Sequence, residues 1–321
     1  MNKVLINNLL KKQFKLNNNN LNNNNLNNIL DKNKNKNKNN NKNNNNNLNN
    51  NLDLSDKNVA IVGYASYMKN KKLGTYIDSF DEVVKINIGI YPINKKDLGS
   101  KITIASFSVS RTKIKSVINI FNKLNLLQKK YNNIHEISID YNIKYILGLG
   151  VKNYEIDYWK TNLLINNNDN ITYIIDYNHN TYINNYLFGL TSGLKTIIYI
   201  LKCKPKKLYI CGFDFSMNIY DDFKEFHANM KYKDILNLSY EEWSNNNDNN
   251  NWHSTYVERY IFKKLFLKYN FEIDEDLHII LLSIDEDDYD NNIFKCSFYN
   301  IDKEIMYLDL FNNICNLIDD I

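Results

Sequence analysis

The chain has 321 residues, with 40 Lys+Arg against 36 Asp+Glu, a length that suits one large domain or two small ones. Asn supplies 63 residues, 27 of them in the first 53, where nine Lys face two Asp; the remainder holds 31 basic and 34 acidic side chains and is mildly acidic. This balance argues against a nucleic-acid-binding domain, which needs a basic face, and four Cys with no CxxC spacing argue against a disulfide scaffold and a structural zinc site.

Residues 1–53 are Asn- and Lys-rich with scattered Leu. They carry too little apolar surface to offset chain entropy and are expected to be disordered. No apolar run reaches the roughly 18 residues that span a bilayer. The opening MNKVLINNLLKKQFKLNNNN lacks the apolar core of a signal peptide, so no transmembrane segment or leader is expected. One ordered domain is expected over 54–321.

Its first strand is NVAIVG at 58–63, a short apolar run ending in Gly, followed by VVKIN at 83–87 and ITIASF at 102–107. Residues 110–127 place Ile114, Val117, Ile118, Phe121, Leu124 and Leu127 at helical spacing. ITYII at 171–175 reads as a strand. In the segment that follows, Thr191 and Ser192 can cap a helix whose apolar face is Ile197, Ile198 and Leu201. KLYICG at 207–212 is a further strand, 253–269 a helix and LHIILL at 277–282 a closing strand. The polar, aromatic-spotted stretch 216–252 reads as a mobile flap. Strands alternating with helices imply an α/β domain, Rossmann-like, with a mostly parallel sheet covered on both faces. Ligands of such sheets bind beyond the carboxyl ends of the strands, here near Gly63, Asn87, Phe107 and Gly212.

Several chemistries have no motif. GxxxxGK[ST] is absent, and the first strand leads into GYASYM, not GxGxxG. There is no GxSxG and no HExxH. IDEDDYD at 284–290 can attract a hard cation, but it reads more simply as a solvated acidic loop.

Four local patterns remain, in a fixed order: 59–89 (VAIVGYASYMKNKKLGTYIDSFDEVVKINIG), 97–108 (DLGSKITIASFS), 190–215 (LTSGLKTIIYILKCKPKKLYICGFDF) and 253–258 (HSTYVE). Together they resemble the motifs of the sialyltransferase families. Leu73, Gly74, Ile77, Asp78, Asp81, Val83, Asn87, Gly99 and Thr103 match the long sialylmotif of the animal-type family. Thr191, Ser192, Gly193, Gly212 and Phe213 match the short motif, and His253 with Glu258 matches the very short one. TSG, then KKLYICGFDF, then HS is closer still to the bacterial family. The resemblance covers about residues 57–270.

It implies a GT-A-like sialyltransferase fold. The implied reaction transfers sialic acid or a related acidic sugar from a CMP donor to a glycan hydroxyl, with inversion and without a metal. The partners would be the CMP-sugar and the glycan acceptor. The residues suit that chemistry. Thr191, Ser192 and the Gly193 N–H stand at a helix N-terminus, an anion site, although ordinary capping accounts for them as well. Asn87 can donate and accept toward ribose or phosphate, or serve as a turn residue. Gly63 and Gly212 would let backbone approach the nucleotide, or simply meet loop geometry. His253 suits a general base near neutral pH. Glu258 can orient the helix start or the His, or pair with a surface Lys.

Three departures stand out. Tyr64 replaces the Asn or Ser with which the families contact the nucleotide. Val59 stands where the animal-type family has a disulfide-forming Cys. The second His expected shortly before His253 is absent, leaving His227, Tyr220 or Tyr232 of the flap as alternatives for the phosphate contact. Tyr64 motivates a second expectation, a non-catalytic CMP- or glycan-binding descendant of the fold. The absence of a leader points to the cytoplasm, and the resemblance points to the Golgi.

Overall fold

The computed structural model describes residues 52–90, 94–108, 117–119, 121–123, 128–149, 171–176, 190–215, 255–282, 293–295 and 304–319. The flap 216–252, the acidic run 284–290 and His253 lie outside these residues. Leu52 and Leu54, either side of the expected domain boundary, are both buried in the core.

Seven strands form one sheet: β1 (Asn58–Val62), β2 (Glu82–Ile86), β3 (Ile104–Ser108), β4 (Tyr145–Leu149), β5 (Thr172–Asp176), β6 (Lys207–Cys211) and β7 (Glu272–Ile273). Their spatial order is β5-β4-β3-β2-β1-β6-β7, and every neighbouring pair is parallel. The protein is therefore the expected α/β fold. β1 to β5 advance strand by strand to one edge; the chain then returns to the other side of β1 to make β6. The order reverses between β1 and β6, the switch point at which open α/β sheets form a crevice beyond their strand ends. A separate antiparallel pair joins β8 (Ile293–Lys295) to β9 (Glu304–Met306).

The described helices are α1 (Gly74–Asp78), α2 (Lys95–Leu98), α3 (Ile134–Asp140), α4 (Ser192–Lys202), α5 (Thr255–Tyr269), α6 (Glu275–Leu282) and α7 (Tyr307–Asp319). Alternate strand residues feed two cores, as a pleated sheet requires. Val59 and Ile61 face the core built with α4, α5, α6 and α7, while Ala60 and Val62 face Met68, Ile77 and Leu98 on the other side. α4 lies over β2, β3 and β4, and α7 covers α4 and α5. The buried pair Ser106 Oγ and Thr196 Oγ1, 2.7 Å apart, fastens α4 to β3. Of the helix expected at 110–127, the described pieces 117–119 and 121–123 are helical, with Val117 and Phe121 buried.

One expected strand is a helix. LHIILL at 277–282 forms α6, because Asp274 Oδ1 caps it by accepting from the Leu277 N–H at 2.9 Å and Glu275 and Asp276 sit in its first turn, where the helix dipole favours negative charge. Leu277 and Leu281 are 0% and 1% exposed, whereas Ile279 is 60% exposed. A strand would put all three on one face; the four-residue repeat of a helix separates them. β4, α3 and α7 had no counterpart in the sequence reading.

The long-motif residues hold the scaffold. Asp78 accepts from the Ser100 N–H and hydroxyl, both at 2.9 Å, and from the Lys101 N–H at 2.9 Å. Gly99 adopts φ +72° beside that carboxylate, in a space where a Cβ would strike Asp78. Asp81 accepts from the Asn58 N–H at 2.8 Å and Thr103 Oγ1 from the Val83 N–H at 2.8 Å, joining the starts of β1, β2 and β3. A Cβ on Gly74 would run into the Lys95 carbonyl, so α1 and α2 meet backbone to backbone. Beneath them Lys85, 1% exposed, donates to the Gly99 carbonyl at 2.8 Å, and burial lowers its ammonium to about 8.

Candidate functional site

Of the expected site residues, Gly63, Asn87 and Gly212 lie at the carboxyl ends of the strands, Gly63 and Gly212 at the switch point. Beyond β1 and β6 the two chains stay in contact: the Gly63 N–H donates to the Cys211 carbonyl at 2.8 Å and the Ala65 N–H to the Gly212 carbonyl at 3.0 Å. A Cβ on Gly63 would collide with the Gly212 carbonyl, and one on Gly212 would stand 2.6 Å from the Gly63 oxygen. Gly212 also has φ +76°, the left-handed region that favours Gly. The space these glycines leave open is taken by each other's backbone.

The next residue reaches α4. A Cβ on Gly193 would lie 2.8 Å from Cε1 of Phe213, so the Phe213 ring covers the first turn of that helix. Thr191 is its N-cap, with extended backbone (φ −64°, ψ 160°) and a side chain that accepts from the Leu194 N–H at 3.3 Å. Among the described residues, no group accepts from the N–H of Ser192 or Gly193, which leaves two first-turn donors at the positive end of an 11-residue helix.

Glu258, in the first turn of α5, is 3% exposed and grips the cap. Its Oε2 accepts from Thr191 Oγ1 at 2.8 Å, and its Oε1 accepts from the Thr191 N–H. Glu258 thus ties the start of α5 to the start of α4; it is not an exposed partner of a Lys. Burial pushes its carboxyl up to about 7, against the two Thr191 hydrogen bonds and the Lys195 charge, which favour the ionised form.

That shift gives a pH signature. The folded value lies above the ordinary 4.5, so the folded state holds the proton more tightly than the unfolded chain. The stabilisation is complete below the unfolded pKa and is lost as pH rises through about 7, roughly 3 kcal/mol in all. Glu258→Gln cannot titrate, and its amide keeps an oxygen for the Thr191 N–H. Its stability relative to wild type is expected to rise by roughly 3 kcal/mol between about pH 5 and about pH 8 in urea unfolding. A difference that does not change with pH would show that Glu258 titrates as in water.

Asn87 closes β2, the neighbour of β1, and so lies at the same end of the sheet. Its φ of 48° is the left-handed conformation that Asn tolerates in a turn. The Tyr64 ring packs on Gly89, where a Cβ would be 2.9 Å from Cδ1, and joins the core on the Ala60 and Val62 side of the sheet. Burial, reinforced by the Asp214 carboxylate, raises its hydroxyl to about 12. The structure therefore links Gly63, Gly212, Phe213, Gly193, Thr191 and Glu258 through successive contacts.

Two residues that the sequence reading did not single out complete the corner. The Tyr67 hydroxyl accepts from the Gly212 N–H at 2.9 Å and the Phe213 N–H at 3.1 Å, and it donates to Asp274 Oδ2 at 2.8 Å. Asp274 is 7% exposed, and burial pushes its carboxyl above the usual range. Among the described residues, no group of three or more His, Cys, Asp or Glu side chains is placed to hold a metal ion, and no helix is long and apolar enough to cross a membrane.

The chain is similar to the solved structure of a mammalian sialyltransferase, at 14% identity over 69% of this chain and 70% of that one, with a TM-score of 0.40. A second mammalian sialyltransferase structure, in complex with Gal-beta-1-3GalNAc-ortho-nitrophenol, aligns at 17% identity over 57% of this chain and 66% of that one, with a TM-score of 0.32. No family model matches the chain, and no curated protein matches it.

Proposed function

We propose that this protein is a glycosyltransferase that moves sialic acid or a related acidic sugar from its CMP derivative to a glycan hydroxyl. The observation that carries the reading is the meeting of the β1–β6 switch point with the N-terminus of α4, through Phe213 over Gly193. It puts helix-terminal N–H donors beside the crevice where α/β sheets take nucleotides. The ordered motifs at 59–89, 97–108, 190–215 and 253–258 supply the donor class.

In the reaction, the Ser192 and Gly193 N–H groups hold the donor phosphate. His253 takes the proton of the acceptor hydroxyl as its oxygen bonds to the anomeric carbon. The bond from that carbon to the CMP oxygen breaks on the opposite face, configuration inverts, and the phosphate of CMP leaves with the electron pair. Glu258 acts behind the site by holding Thr191, and a protonated carboxyl there removes a negative charge from behind the phosphate. Tyr220, Tyr232 and His227 are further candidates for the phosphate.

One observation favours a second reading. Tyr64 stands at the end of β1, packed on Gly89 and close enough to Asp214 to feel its charge. A ring there restricts the base or ribose, as in a descendant that binds CMP or glycan without transfer. Calorimetric titration with CMP and CDP, followed by an assay of CMP release from CMP-sialic acid with a panel of glycan acceptors, separates the two. CMP binding with acceptor-dependent release is expected. Binding without hydrolysis or transfer would establish the descendant, and absence of CMP binding would overturn the transfer reading and a CMP-binding descendant alike.

A further inference from the structure

Three adjacent strands, β1, β6 and β7, end around one hydroxyl group. Tyr67 lies in the single 3-10 turn after β1 (Ser66–Met68), Gly212 and Phe213 follow β6, and Asp274 follows β7. The Tyr67 oxygen uses both lone pairs on consecutive backbone N–H groups, and its proton goes to the carboxylate. Its 3.5 Å approach to the Phe213 carbonyl is too long to compete for that proton. Asp274 is held from the other side: its Oδ1 accepts from the Leu277 N–H at 2.9 Å, its own N–H donates to the Ile210 carbonyl at 3.3 Å, and Gly212 N is 3.3 Å from Oδ2.

The corner needs such a clamp. Gly212 at φ +76° has the widest choice of backbone conformations in the chain's turn out of β6. Whichever it adopts decides where the Phe213 ring falls over Gly193. Two N–H groups turned into one fixed oxygen leave a single choice. Burial holds the Tyr67 hydroxyl far above its ordinary pKa, so it stays a donor to Asp274 across the working pH range.

We propose that Tyr67 is a positioning residue for the nucleotide site: its hydroxyl, oriented by Asp274, fixes the Gly212–Phe213 corner and thereby the opening over the first turn of α4. The inference rests on the CMP-sugar reading above, and goes beyond it by assigning the placement of the phosphate donors to a residue that does not touch the donor.

Tyr67→Phe removes one oxygen and keeps the ring. In the full-length protein it is expected to speed hydrogen exchange of the Gly212 and Phe213 amides by at least about tenfold, leaving β1 and β3 amides at wild-type rates. CMP affinity by calorimetry should fall about tenfold, the equivalent of one lost hydrogen-bonded arrangement. Tyr76→Phe, an exposed tyrosine outside the network, should change neither. Phe213→Ala tests the same coupling without touching the Tyr67 hydrogen bond to Gly212, and keeps the question open to refutation if Tyr67→Phe folds poorly. It should lower CMP affinity while Gly212 stays protected. Wild-type exchange at Gly212 and Phe213 in Tyr67→Phe would overturn the clamp. Faster exchange with unchanged CMP affinity, or unchanged affinity in Phe213→Ala, would overturn its link to the site. A wild-type protein that does not bind CMP would remove the nucleotide reading and this link together, and the exchange comparison would still decide the clamp.

Discussion

Replacing His253 with Ala is expected to lower sugar transfer by about 10²–10⁴-fold while leaving CMP affinity within a few-fold of wild type. The split follows from the proposed division of labour. Under that proposal the phosphate would be held by N–H groups of the α4 first turn, which the substitution does not touch, whereas proton removal from the acceptor would have no substitute. His253 precedes the start of α5 by two residues in sequence, and α5 is the helix whose Glu258 grips the α4 cap. Initial rates of CMP release with saturating acceptor, beside calorimetry with CMP, measure both quantities. Transfer within a few-fold of wild type would remove His253 from the chemistry; loss of CMP affinity in parallel with rate would make it a binding residue.

Gly63→Ala should destabilise the fold by about 3–5 kcal/mol, among the larger effects of a single methyl group. The added Cβ meets the Gly212 carbonyl, with the carbonyl carbon 2.7 Å away, and both belong to backbone that the Gly63–Cys211 and Ala65–Gly212 hydrogen bonds hold in place. Relief requires β1 and β6 to part at the switch point. Gly89→Ala offers the contrast. There the nearest atom is Cδ1 of Tyr64 at 2.9 Å, a side chain and not backbone, and a smaller cost of about 1–2 kcal/mol is expected. Urea unfolding of the two variants checks the difference. Equal costs would mean that the two strand ends separate freely and that the crevice is not rigidly built.

The α/β class and the parallel sheet were legible because buried parallel strands are short apolar runs between helical patterns, as NVAIV, EVVKI and KLYIC show. The cap at Thr191 was legible because capping is a local event, settled within three residues. The strand expected at 277–282 failed for a stated reason: an apolar run alone is compatible with both structures, and the deciding signal, Asp274 with two acidic residues after it, lies just ahead of the run. The arrangement around the candidate site was legible only in pieces. The glycines at 63 and 212 could be found, but not that they fill each other's space. Glu258 could be found, but not that its partner is Thr191, 67 positions away. Tyr67 and Asp274 meet across 207 positions with no local pattern around either, and only the parallel stacking of β1, β6 and β7 brings them together.

The most direct test is the hydrogen-exchange footprint of CMP on the full-length protein. The expected result is slower exchange at the amides of residues 190–196, where Ser192 and Gly193 would donate to the phosphate, together with 63–68 and 211–215 around the switch point, and no change at β4 and β5 on the far edge of the sheet. Protection confined to β4 and β5, or an unchanged 190–196 segment at saturating CMP, would contradict a nucleotide site between β1, β6 and the start of α4.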